Sequence, residues 1–468
     1  MSARPHLVIV VGRGEVIRNF LFSDTLPRLC EEADVTVLSI VDDEDLLRHV
    51  RTHTDRIVPL REHLAPPAVQ RLRSLAENAH DRWQWCTTGQ NHWELRDRRA
   101  AERGGRHLRR RRMMKVGARL LAFPAALRAL TALERELHYR FRPTRELDRL
   151  FEELRPDLVF NGSHIHGMAA ELPLRVAHRM GIRTAGFVFS WDNLTSRSRI
   201  FVPYDDVIVW TEGIRQQYLG LYPETPQDRV IATGTPQLDF HFKDEHKMSR
   251  EDLCRKIGID PARPYVLYTA GIDHHFFEEH LHVETVARLL GEIDVPQRPQ
   301  LVVRTYVKGT SDEMKALARR GLPETVFPKV EWSERWQTPE LADLTTWTSL
   351  LQHCALGINA ASTVSLELML FNKPIINLRY DPPGSNLPWC LGYERHILFD
   401  HYKPVAESGA TMVAESTDDM ARFLRRGLVE PEADAGARKS FIDQFFGGLL
   451  DGKAGIRVAE VLLERARL

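Results

Sequence analysis

Short runs of apolar, branched residues recur along the chain, and each is followed by a stretch with apolar positions at helical spacing. Residues 6–11 (HLVIVV) are typical of a strand in a parallel sheet that is covered on both faces. Residues 16–29 then predict a helix, and residues 35–41 predict the next strand. Strands at 157–161, 184–189, 207–210 and 230–232, with a helix at 168–180, extend the alternation. The pattern predicts a parallel α/β domain.

A second alternation begins near residue 265. It predicts strands at 265–270, 301–306, 356–359 and 374–378, with helices at 278–293, after 311 and from 362. We therefore expect an α/β protein of two Rossmann-like domains, residues 1–240 and 263–468, joined by a polar linker at 241–262. A helix at 458–467 is predicted to close the second domain. Strand carboxyl ends bind ligands in open α/β sheets, so the active site is expected in a cleft between the domains.

Residues 66–142 break the first alternation with a basic, helical pattern, which predicts an insertion in the amino-terminal domain. It contains the basic run 106–112, followed by an apolar stretch at 116–133 that charges and Pro124 interrupt too often for a bilayer span. One interpretation is a core-packed helix with a solvated basic end, which we favour. The other is peripheral contact with an anionic membrane surface.

Composition excludes several classes of protein. The 64 basic and 64 acidic side chains cancel, so no global charge argues for a nucleic-acid partner. The five cysteines form no CxxC pair, which disfavours a zinc knuckle or a disulfide scaffold. The first residues lack the pattern of a secretory signal. We expect a cytoplasmic protein, and the alternative is a peripheral position at the inner face of the membrane.

The most informative segment is 356–381, which predicts strand, small-residue turn, helix and strand in close succession. Ser362 and Thr363 fall at the start of the helix, where backbone N–H groups and the helix dipole favour a phosphate. They could equally cap the helix. Glu367 follows inside an apolar stripe, where its carboxylate could accept hydrogen bonds from both hydroxyls of a ribose. The alternative is an ordinary βαβ crossover without a ligand.

The sequence LGINAASTVSLELMLFNKPIINL resembles the donor-binding βαβ unit of GT-B glycosyltransferases and their relatives, which include UDP-N-acetylglucosamine 2-epimerases and CDP-glycerol glycerophosphotransferases. Two further segments are similar to bacterial surface-polysaccharide enzymes of this fold: GTPQLD (234–239) and FSWDNLTSRSR (189–199). The positions that match the motifs are Ser362, Glu367, Pro374, Gly234, Thr235, Pro236, Gln237 and Asp239.

This resemblance implies a GT-B glycosyltransferase that moves a sugar from a nucleotide-activated donor to a glycan or lipid-linked acceptor. The process would be the biosynthesis of a cell-surface polysaccharide such as capsule or lipopolysaccharide. It also implies a nucleotide-sugar substrate, no permanently bound cofactor and no metal. The alternatives are a sugar-nucleotide 2-epimerase, a glycerophosphotransferase, or a non-catalytic binding protein of the same fold.

Further donor contacts are predicted at strand ends of the second domain. Gly271 follows the strand at 265–270, where a small turn lets a diphosphate approach; the alternative is a role in the turn alone. Arg304 and Lys308 follow the next strand and could neutralise a diphosphate leaving group. Relatives often have Arg-x-His-Pro here, whereas this chain has Arg304, Thr305, Tyr306 and Val307. A structural role for Arg304 stays open, and Tyr306 is a further candidate.

Acid/base chemistry should come from the amino-terminal domain. The candidates are Glu15, His164, His166 and Asp192, each after a predicted strand end. Asp192 could instead form an Asx turn with Asn193, which we favour. The GRG sequence at 12–14 does not complete a dinucleotide fingerprint, so a nicotinamide cofactor is not expected. Histidines at 274–282 match no closed zinc spacing, and one of His274 and His275 could contact donor or acceptor.

Overall fold

A computed structural model describes residues 4–165 and 168–468. The chain forms two compact units. Unit 1 comprises Met1–Asp239 together with Gly448–Leu468, and unit 2 comprises Phe240–Gly447.

Unit 1 contains a seven-stranded, wholly parallel sheet in the order β3-β2-β1-β4-β5-β6-β7. Strands β4 and β6 are buried along their whole length, and β1 is buried except at His6, as expected when helices cover both faces of a parallel sheet. The short strand β3 was missing from the sequence prediction. The strands are β1 (His6–Val11), β2 (Asp34–Ser39), β3 (Ile57–Pro59), β4 (Leu158–Asn161), β5 (Arg183–Phe187), β6 (Asp206–Val209) and β7 (Val230–Ala232).

The helices of unit 1 lie between these strands. They are α1 (Gly14–Val16), α2 (Thr25–Glu32), α3 (Glu44–Arg51), α4 (Pro67–Gln84), α5 (Thr87–Arg103), α6 (Gly105–Leu120), α7 (Pro124–Arg140), α8 (Arg145–Leu154), α9 (Glu171–Arg179), α10 (Asn193–Ser196) and α11 (Glu212–Leu221). The single helix predicted at 16–29 is wrong. A π-helical turn, Ile17–Leu21, follows α1, and the chain restarts at α2 because Pro27 fits only the first turn of a helix.

The helical region predicted at 66–142 consists of α4 to α7. The apolar stretch at 116–133 is two helices and not one, because Pro124 begins α7. Among the described helices, no single one is long and apolar enough to cross a membrane. The pair α6 and α7 meets the length and composition test together, but it is bent by 119°.

Unit 2 contains a six-stranded parallel sheet in the order β10-β9-β8-β13-β14-β15 and a separate antiparallel pair, β11-β12. Its strands are β8 (Tyr265–Thr269), β9 (Gln300–Arg304), β10 (Thr325–Val326), β11 (Trp332–Ser333), β12 (Thr338–Pro339), β13 (Leu356–Asn359), β14 (Ile375–Leu378) and β15 (Met412–Ala414). The predicted strands match β8, β9, β13 and β14 within a few residues.

Both faces of this sheet carry helices: α12 (Arg250–Ile257), α13 (Glu279–Glu292), α14 (Asp312–Arg320), α15 (Leu341–His353), α16 (Val364–Leu370), α17 (Glu394–Leu398), α18 (Lys403–Glu407), α19 (Thr417–Val429) and α20 (Ala435–Phe446). Residues predicted as a linker at 241–262 belong to unit 2 and include α12. Ser249 caps α12 by accepting a hydrogen bond from the Asp252 amide, so the segment is an ordered part of the unit.

The last helix, α21 (Ala454–Ala466), corrects the predicted domain boundaries. It was assigned to the second domain but belongs to unit 1. Its buried face includes Val458, Leu462 and Leu463, and its neighbours are α2, β4 and β5. Sequence periodicity identified the helix but could not say which sheet its apolar stripe would cover.

Candidate functional site

The segment predicted to bind the donor folds as β13, a turn, α16 and β14, as expected. Asn359 ends β13, and its Oδ1 accepts hydrogen bonds from the Ser362 amide at 3.1 Å and from Asn377 Nδ2 at 3.1 Å. Ser365 joins this buried network through Asn359 and through the Tyr402 hydroxyl at 2.7 Å. Ala361 has φ of 64°, a left-handed conformation that is unfavourable for a residue with a side chain. The network therefore holds the turn in one strained shape.

This arrangement changes the roles available to Ser362 and Thr363. The Ser362 amide binds Asn359, so it is not free for a phosphate, and the Ser362 hydroxyl accepts from the Val364 amide at 3.3 Å. The helix begins at Val364, two residues later than predicted, and spans seven residues. Thr363 occupies the N-cap position without a side-chain capping bond. Ser362 is thus a turn-forming residue in this structure.

Glu367 lies on α16 with only 12% of its side chain exposed. Its Oε1 atom lies 3.2 Å from His241 Nε2 and accepts a hydrogen bond from Trp347 Nε1 at 3.3 Å. His241 is fixed in turn by Thr348, 3.0 Å from its Nδ1. Both of these contacts are to Oε1. Neither His241 nor Trp347 forms a hydrogen bond with Oε2. Glu367 is therefore oriented by two neighbours while one carboxylate oxygen stays available.

Arg304 lies at the carboxyl end of β9, as predicted, but it is held by a partner that the sequence did not reveal. Its Nη2 donates to Asp343 Oδ2 of α15 at 2.6 Å, and both residues are buried. The guanidinium carbon lies 5.8 Å from the centre of the Trp347 ring. In the described part of the chain, Nη1 is buried and has no hydrogen-bond partner. Arg304 therefore has a structural role, and its Nη1 is buried without an acceptor.

Gly271 does not offer a free amide. Its N–H donates to Glu279 Oε2 at 3.0 Å, and a Cβ atom at this position would come within 1.9 Å of the Phe276 ring. Burial raises the pKa of Glu279 to about 8, although the Gly271 and Tyr268 hydrogen bonds oppose the shift. The Gly271 turn is therefore required for packing. Its predicted donor contact is not supported by the position of its N–H.

Lys308 and Tyr306 lie in the loop after β9 and are partly buried. The Tyr306 ring packs edge-on against Trp332, with ring centres 6.2 Å apart. The histidines after β8 make different contacts. His282 is buried against the Tyr380 carbonyl oxygen at 3.1 Å, whereas His275 packs beside His274 and His396.

In unit 1, Glu15 opens α1 directly after the first turn and is 3% exposed. Arg13 Nε lies 3.7 Å from its Oε2. One turn further, Arg18 donates to Asn19 Oδ1 at 2.7 Å and to Gln237 Oε1 at 3.2 Å. Gln237 belongs to the GTPQLD motif, so this motif lies next to the helical segment that follows β1.

His164 follows β4, and its Nδ1 lies 3.3 Å from the Phe187 carbonyl oxygen and 3.4 Å from the Phe189 amide nitrogen. Burial lowers the pKa of His164 to about 4, so the imidazole is neutral at neutral pH. Asp192 precedes α10; its Oδ2 accepts from the Ser196 hydroxyl at 2.5 Å, and its Oδ1 accepts from Asn193 Nδ2 at 3.3 Å. Both contacts are to side chains, and the Asp192 carboxylate makes no capping bond to a backbone amide of α10, so these contacts hold the loop but are not the predicted Asx turn. His166 lies outside the described residues.

The GTPQLD motif has a structural explanation. Asp239 accepts hydrogen bonds from the amides of Ala454 at 3.2 Å and Gly455 at 2.7 Å, which begin α21. Gly234 has φ of 84°, and a Cβ atom there would lie 2.6 Å from the Leu449 carbonyl oxygen. Gly234 and Asp239 thus attach the carboxy-terminal segment to unit 1.

Three residues at this site were missed from the sequence: His241, Asp343 and Trp347. His241 comes from the stretch taken as a linker, and the other two come from α15, for which no helix was predicted. Asp343 is the single acidic residue of α15, and this is the signal that could have identified a buried ion-pair partner.

Comparison with known proteins identifies the fold. No family model matches the sequence, and no curated protein sequence matches it. Solved structures do match. UDP-GlcNAc 2-epimerase from Neisseria meningitidis bound to UDP-GlcNAc has a TM-score of 0.55 at 12% identity, covering 98% of this chain and 100% of that one.

Two other structures match over similar lengths. The S. aureus MnaA–UDP structure has a TM-score of 0.53 at 13% identity, covering 97% of this chain and 94% of that one. Arabidopsis thaliana UGT89C1 complexed with UDP-L-rhamnose has a TM-score of 0.51 at 14% identity, covering 100% of both chains. The chain has the two-domain GT-B fold, which confirms the predicted fold class.

Proposed function

We propose that this protein is a glycosyltransferase that moves a sugar from a nucleotide-activated donor to a glycan or lipid-linked acceptor in cell-surface polysaccharide biosynthesis. The observation that carries the proposal is the convergence of Glu367 and Arg304 on Trp347 in unit 2. A partly open carboxylate and an unpaired guanidinium nitrogen beside one indole suit the ribose and the diphosphate of a nucleotide. GT-B structures solved with UDP, UDP-GlcNAc or UDP-L-rhamnose support this choice of ligand.

In this proposal Glu367 Oε2 accepts hydrogen bonds from the ribose hydroxyls, and His241 and Trp347 keep the carboxylate oriented. The positive charge of Arg304, which Asp343 holds in place, attracts the diphosphate. Lys308 and the Thr363 hydroxyl are the further candidates for the diphosphate. The leaving group is stabilised by these cations and donors, without a metal or a permanently bound cofactor.

Proton transfer from the acceptor hydroxyl is assigned to unit 1. Glu15 is buried in α1, which follows β1, and His164 is unprotonated at neutral pH and so can accept a proton, although a pKa of about 4 makes it a weak base. Asp192 is bonded to Ser196 and Asn193, so we assign it to the shape of its loop. Glu15 and His164 are therefore the first residues to test as the base.

The acceptor is proposed to be lipid-linked, with the protein on the cytoplasmic side of the membrane. The support is an exposed apolar ridge on the last turns of α6 and the turn after it: Met113 (75% exposed), Val116 (56%), Leu120 (71%) and Phe123 (48%). Exposed Arg109, Arg110, Arg112 and Arg119 flank this ridge. Apolar side chains among basic ones suit an anionic bilayer surface. Leu120→Glu should reduce co-sedimentation with phosphatidylglycerol vesicles, and Leu133→Glu on α7 is the matched control.

Turnover with labelled nucleotide sugars tests the reaction. Purified protein is incubated with UDP- and CDP-activated sugars, first alone and then with cell-envelope lipid acceptors. Label transferred only when acceptor is present supports the transferase. An isomerised nucleotide sugar formed without acceptor would instead assign a 2-epimerase. Absence of nucleotide binding by calorimetry would favour a non-catalytic protein of this fold.

A further inference from the structure

Unit 1 contains a cavity of about 550 Å³, a volume in the range of small-molecule sites. None of the described residues that line it was predicted to bind substrate. Its walls come from α7, the end of α9, the end of α11 and the segments that lead into β5, β6 and β7. Arg183 is the first residue of β5, and Asp205 and Arg229 directly precede β6 and β7. The cavity therefore lies at the amino ends of these three strands.

This position separates the cavity from the proposed transferase site. Open α/β sheets bind substrates beyond the carboxyl ends of their strands. The candidate residues His164 and Asp192 follow the carboxyl ends of β4 and β5. Because β4 to β7 are parallel, their amino ends lie at the opposite edge of the sheet. A ligand in the cavity would not occupy the place of the substrates.

Basic side chains outnumber acidic ones in the lining, which contains three arginines and two acidic residues. Two of the arginines, Arg183 and Arg229, share a single buried carboxylate. Arg183 Nε donates to Asp206 Oδ2 at 2.6 Å, and Arg229 Nη1 donates to Asp206 Oδ1 at 3.4 Å. One carboxylate thus serves two guanidinium groups at this end of the cavity, which favours an anionic ligand.

The two acidic residues of the lining already have partners. Asp205 Oδ2 accepts hydrogen bonds from the Thr184 amide at 2.8 Å and from the Thr184 hydroxyl at 2.9 Å. Glu224 Oε1 lies 3.8 Å from Arg199 Nη2. These contacts reduce the attraction of the lining for a cationic ligand.

Arg135, on α7, is the third arginine of the lining, and its guanidinium is fixed by backbone groups. Nε donates to the Phe201 carbonyl oxygen at 2.6 Å, and Nη2 donates to the Val202 carbonyl oxygen at 3.3 Å. In the part of the chain that the structure describes, Arg135 forms no ion pair, and its Nη1 makes no hydrogen bond. Nη1 is not among the atoms shut off from solvent. One donor of an oriented cation is therefore left for a ligand.

The surroundings of Arg135 are also electropositive. Burial lowers the pKa of Arg135, and so do the charges of Arg175 and Arg199, which outweigh the opposing effects of Tyr218 and Glu134. A negative charge close to this guanidinium would therefore be stabilised.

Three tyrosine rings contribute an aromatic surface to the same cavity: Tyr204, Tyr218 and Tyr222. The ring centres of Tyr218 and Tyr222 are 4.7 Å apart. The hydroxyls of Tyr204 and Tyr222 accept hydrogen bonds within the protein, from Asn161 Nδ2 and the Ile200 amide, each at 2.8 Å. The rings are thus held in place before any ligand arrives, and such a surface suits a planar ring.

We propose that this cavity binds a small aromatic carboxylate, with its carboxylate on Arg135 Nη1 and its ring against the tyrosines. The carboxylate supplies the acceptor that Arg135 lacks, and its single charge matches the excess of one arginine in the lining. The ring replaces water on the tyrosine surface. The proposal does not depend on the transferase reaction, because it involves unit 1 alone.

Isothermal titration calorimetry of the full chain with sodium 2-naphthoate tests this site, with excess UDP present to fill a nucleotide site. Two further probes separate the parts of the ligand: 2-naphthamide has the same rings without the charge, and sodium acetate has the charge without the rings. The wild type should bind 2-naphthoate about tenfold more tightly than either of them.

Substitutions of Arg135 place the ligand. Arg135→Met should raise the Kd for 2-naphthoate about tenfold and leave the Kd for 2-naphthamide nearly unchanged, so that the preference for the acid disappears. Arg135→Lys should weaken 2-naphthoate binding to a smaller extent, because lysine keeps the charge but lacks the planar fork. Arg140→Met, an exposed position on the same helix, is the control and should bind like the wild type.

Equal affinity of the wild type and Arg135→Met for 2-naphthoate would overturn the proposal. A preference for acid over amide that persists in Arg135→Met would also overturn it, because Arg135 would then have a structural role only. A wild type that does not bind 2-naphthoate, or binds the amide or acetate as tightly, would exclude an aromatic carboxylate. If Arg135→Met does not fold, Arg135→Lys decides the question, and an unchanged affinity for 2-naphthoate would exclude the contact.

Discussion

The strand ends of the two sheets hold their acidic side chains in different ways. In unit 2, Asp343 and Glu367 meet cationic or N–H partners from other elements, and Trp347 lies beside both Arg304 and Glu367. In unit 1, Asp192 is bonded to its own turn, and Asp239 is held by backbone amides. Unit 2 therefore presents a shared, preorganised cluster, whereas Asp192 and Asp239 of unit 1 are each held separately.

This difference bears on function. A binding site gains affinity when its groups are oriented before the ligand arrives, because less ordering is required on binding. The cluster around Trp347 has that property. An acidic residue that is held separately can be replaced with little effect on other side chains. Substitutions in the two units should therefore change stability or binding by different amounts.

The largest effect is expected for Asp343→Asn. This change leaves the buried Arg304 guanidinium without its counter-charge, which should lower the free energy of unfolding by about 3 kcal/mol or more. Urea denaturation measures it. Asp312→Asn on α14 is the control, because the Asp312 side chain is 94% exposed. The double variant Arg304→Met/Asp343→Leu should recover much of the loss, and a cost under about 1 kcal/mol for Asp343→Asn would contradict the described ion pair.

Much of the cluster around Trp347 could be predicted from the sequence. Apolar runs located β9 and β13, and the position of each strand end brought Arg304 and Glu367 to the correct edge of one sheet. Their partners were not predicted, because α15 mixes apolar residues with threonine and serine on its buried face and shows little helical periodicity. His241 was missed because its polar surroundings resemble a linker. Partner choice depends on how helices pack across the sheet, and periodicity carries no information about it.

The final helix shows the same limit of sequence periodicity, here in the assignment of a helix to a domain. Val458 and Leu462 define an apolar stripe that any parallel sheet could bury. Its attachment to unit 1 depends on the Asp239 contacts with Ala454 and Gly455, more than two hundred residues apart in sequence. The GTPQLD motif was recognised as a resemblance, but its role as an attachment point required the structure.

A smaller effect is expected for Glu367→Gln, which tests the cluster as a nucleotide site. A neutral amide keeps the size of the side chain but weakens acceptance from ribose hydroxyls, so the Kd for UDP should rise about tenfold, or about 1.4 kcal/mol. Isothermal titration calorimetry measures the change. Glu407→Gln on α18 is an exposed control. Unchanged affinity in a folded Glu367→Gln protein would remove this residue from the site.

In unit 1, the effect expected at Asp239 is a change in the pH dependence of stability. Burial raises the pKa of Asp239 to about 7, although its bonds to the Gly455 and Ala454 amides oppose the shift, whereas an unfolded aspartate titrates near 4. Between these values the folded protein binds more protons than the unfolded chain. The stabilising contribution of this group is therefore complete below about pH 4 and is lost as the pH rises towards 7.

Asp239→Asn should remove this contribution and flatten the stability profile by about 1 kcal/mol per pH unit between pH 5 and 6.5. Urea denaturation at a series of pH values measures it, and the exposed Asp228→Asn is the control for general charge effects. Other titrating groups contribute equally to wild type and variant, so the difference between their profiles isolates Asp239. Parallel profiles would mean that Asp239 is ionised in the folded protein across this range. Its attachment of α21 would then resemble the charged contacts of unit 2, and the contrast between the two units would not extend to this residue.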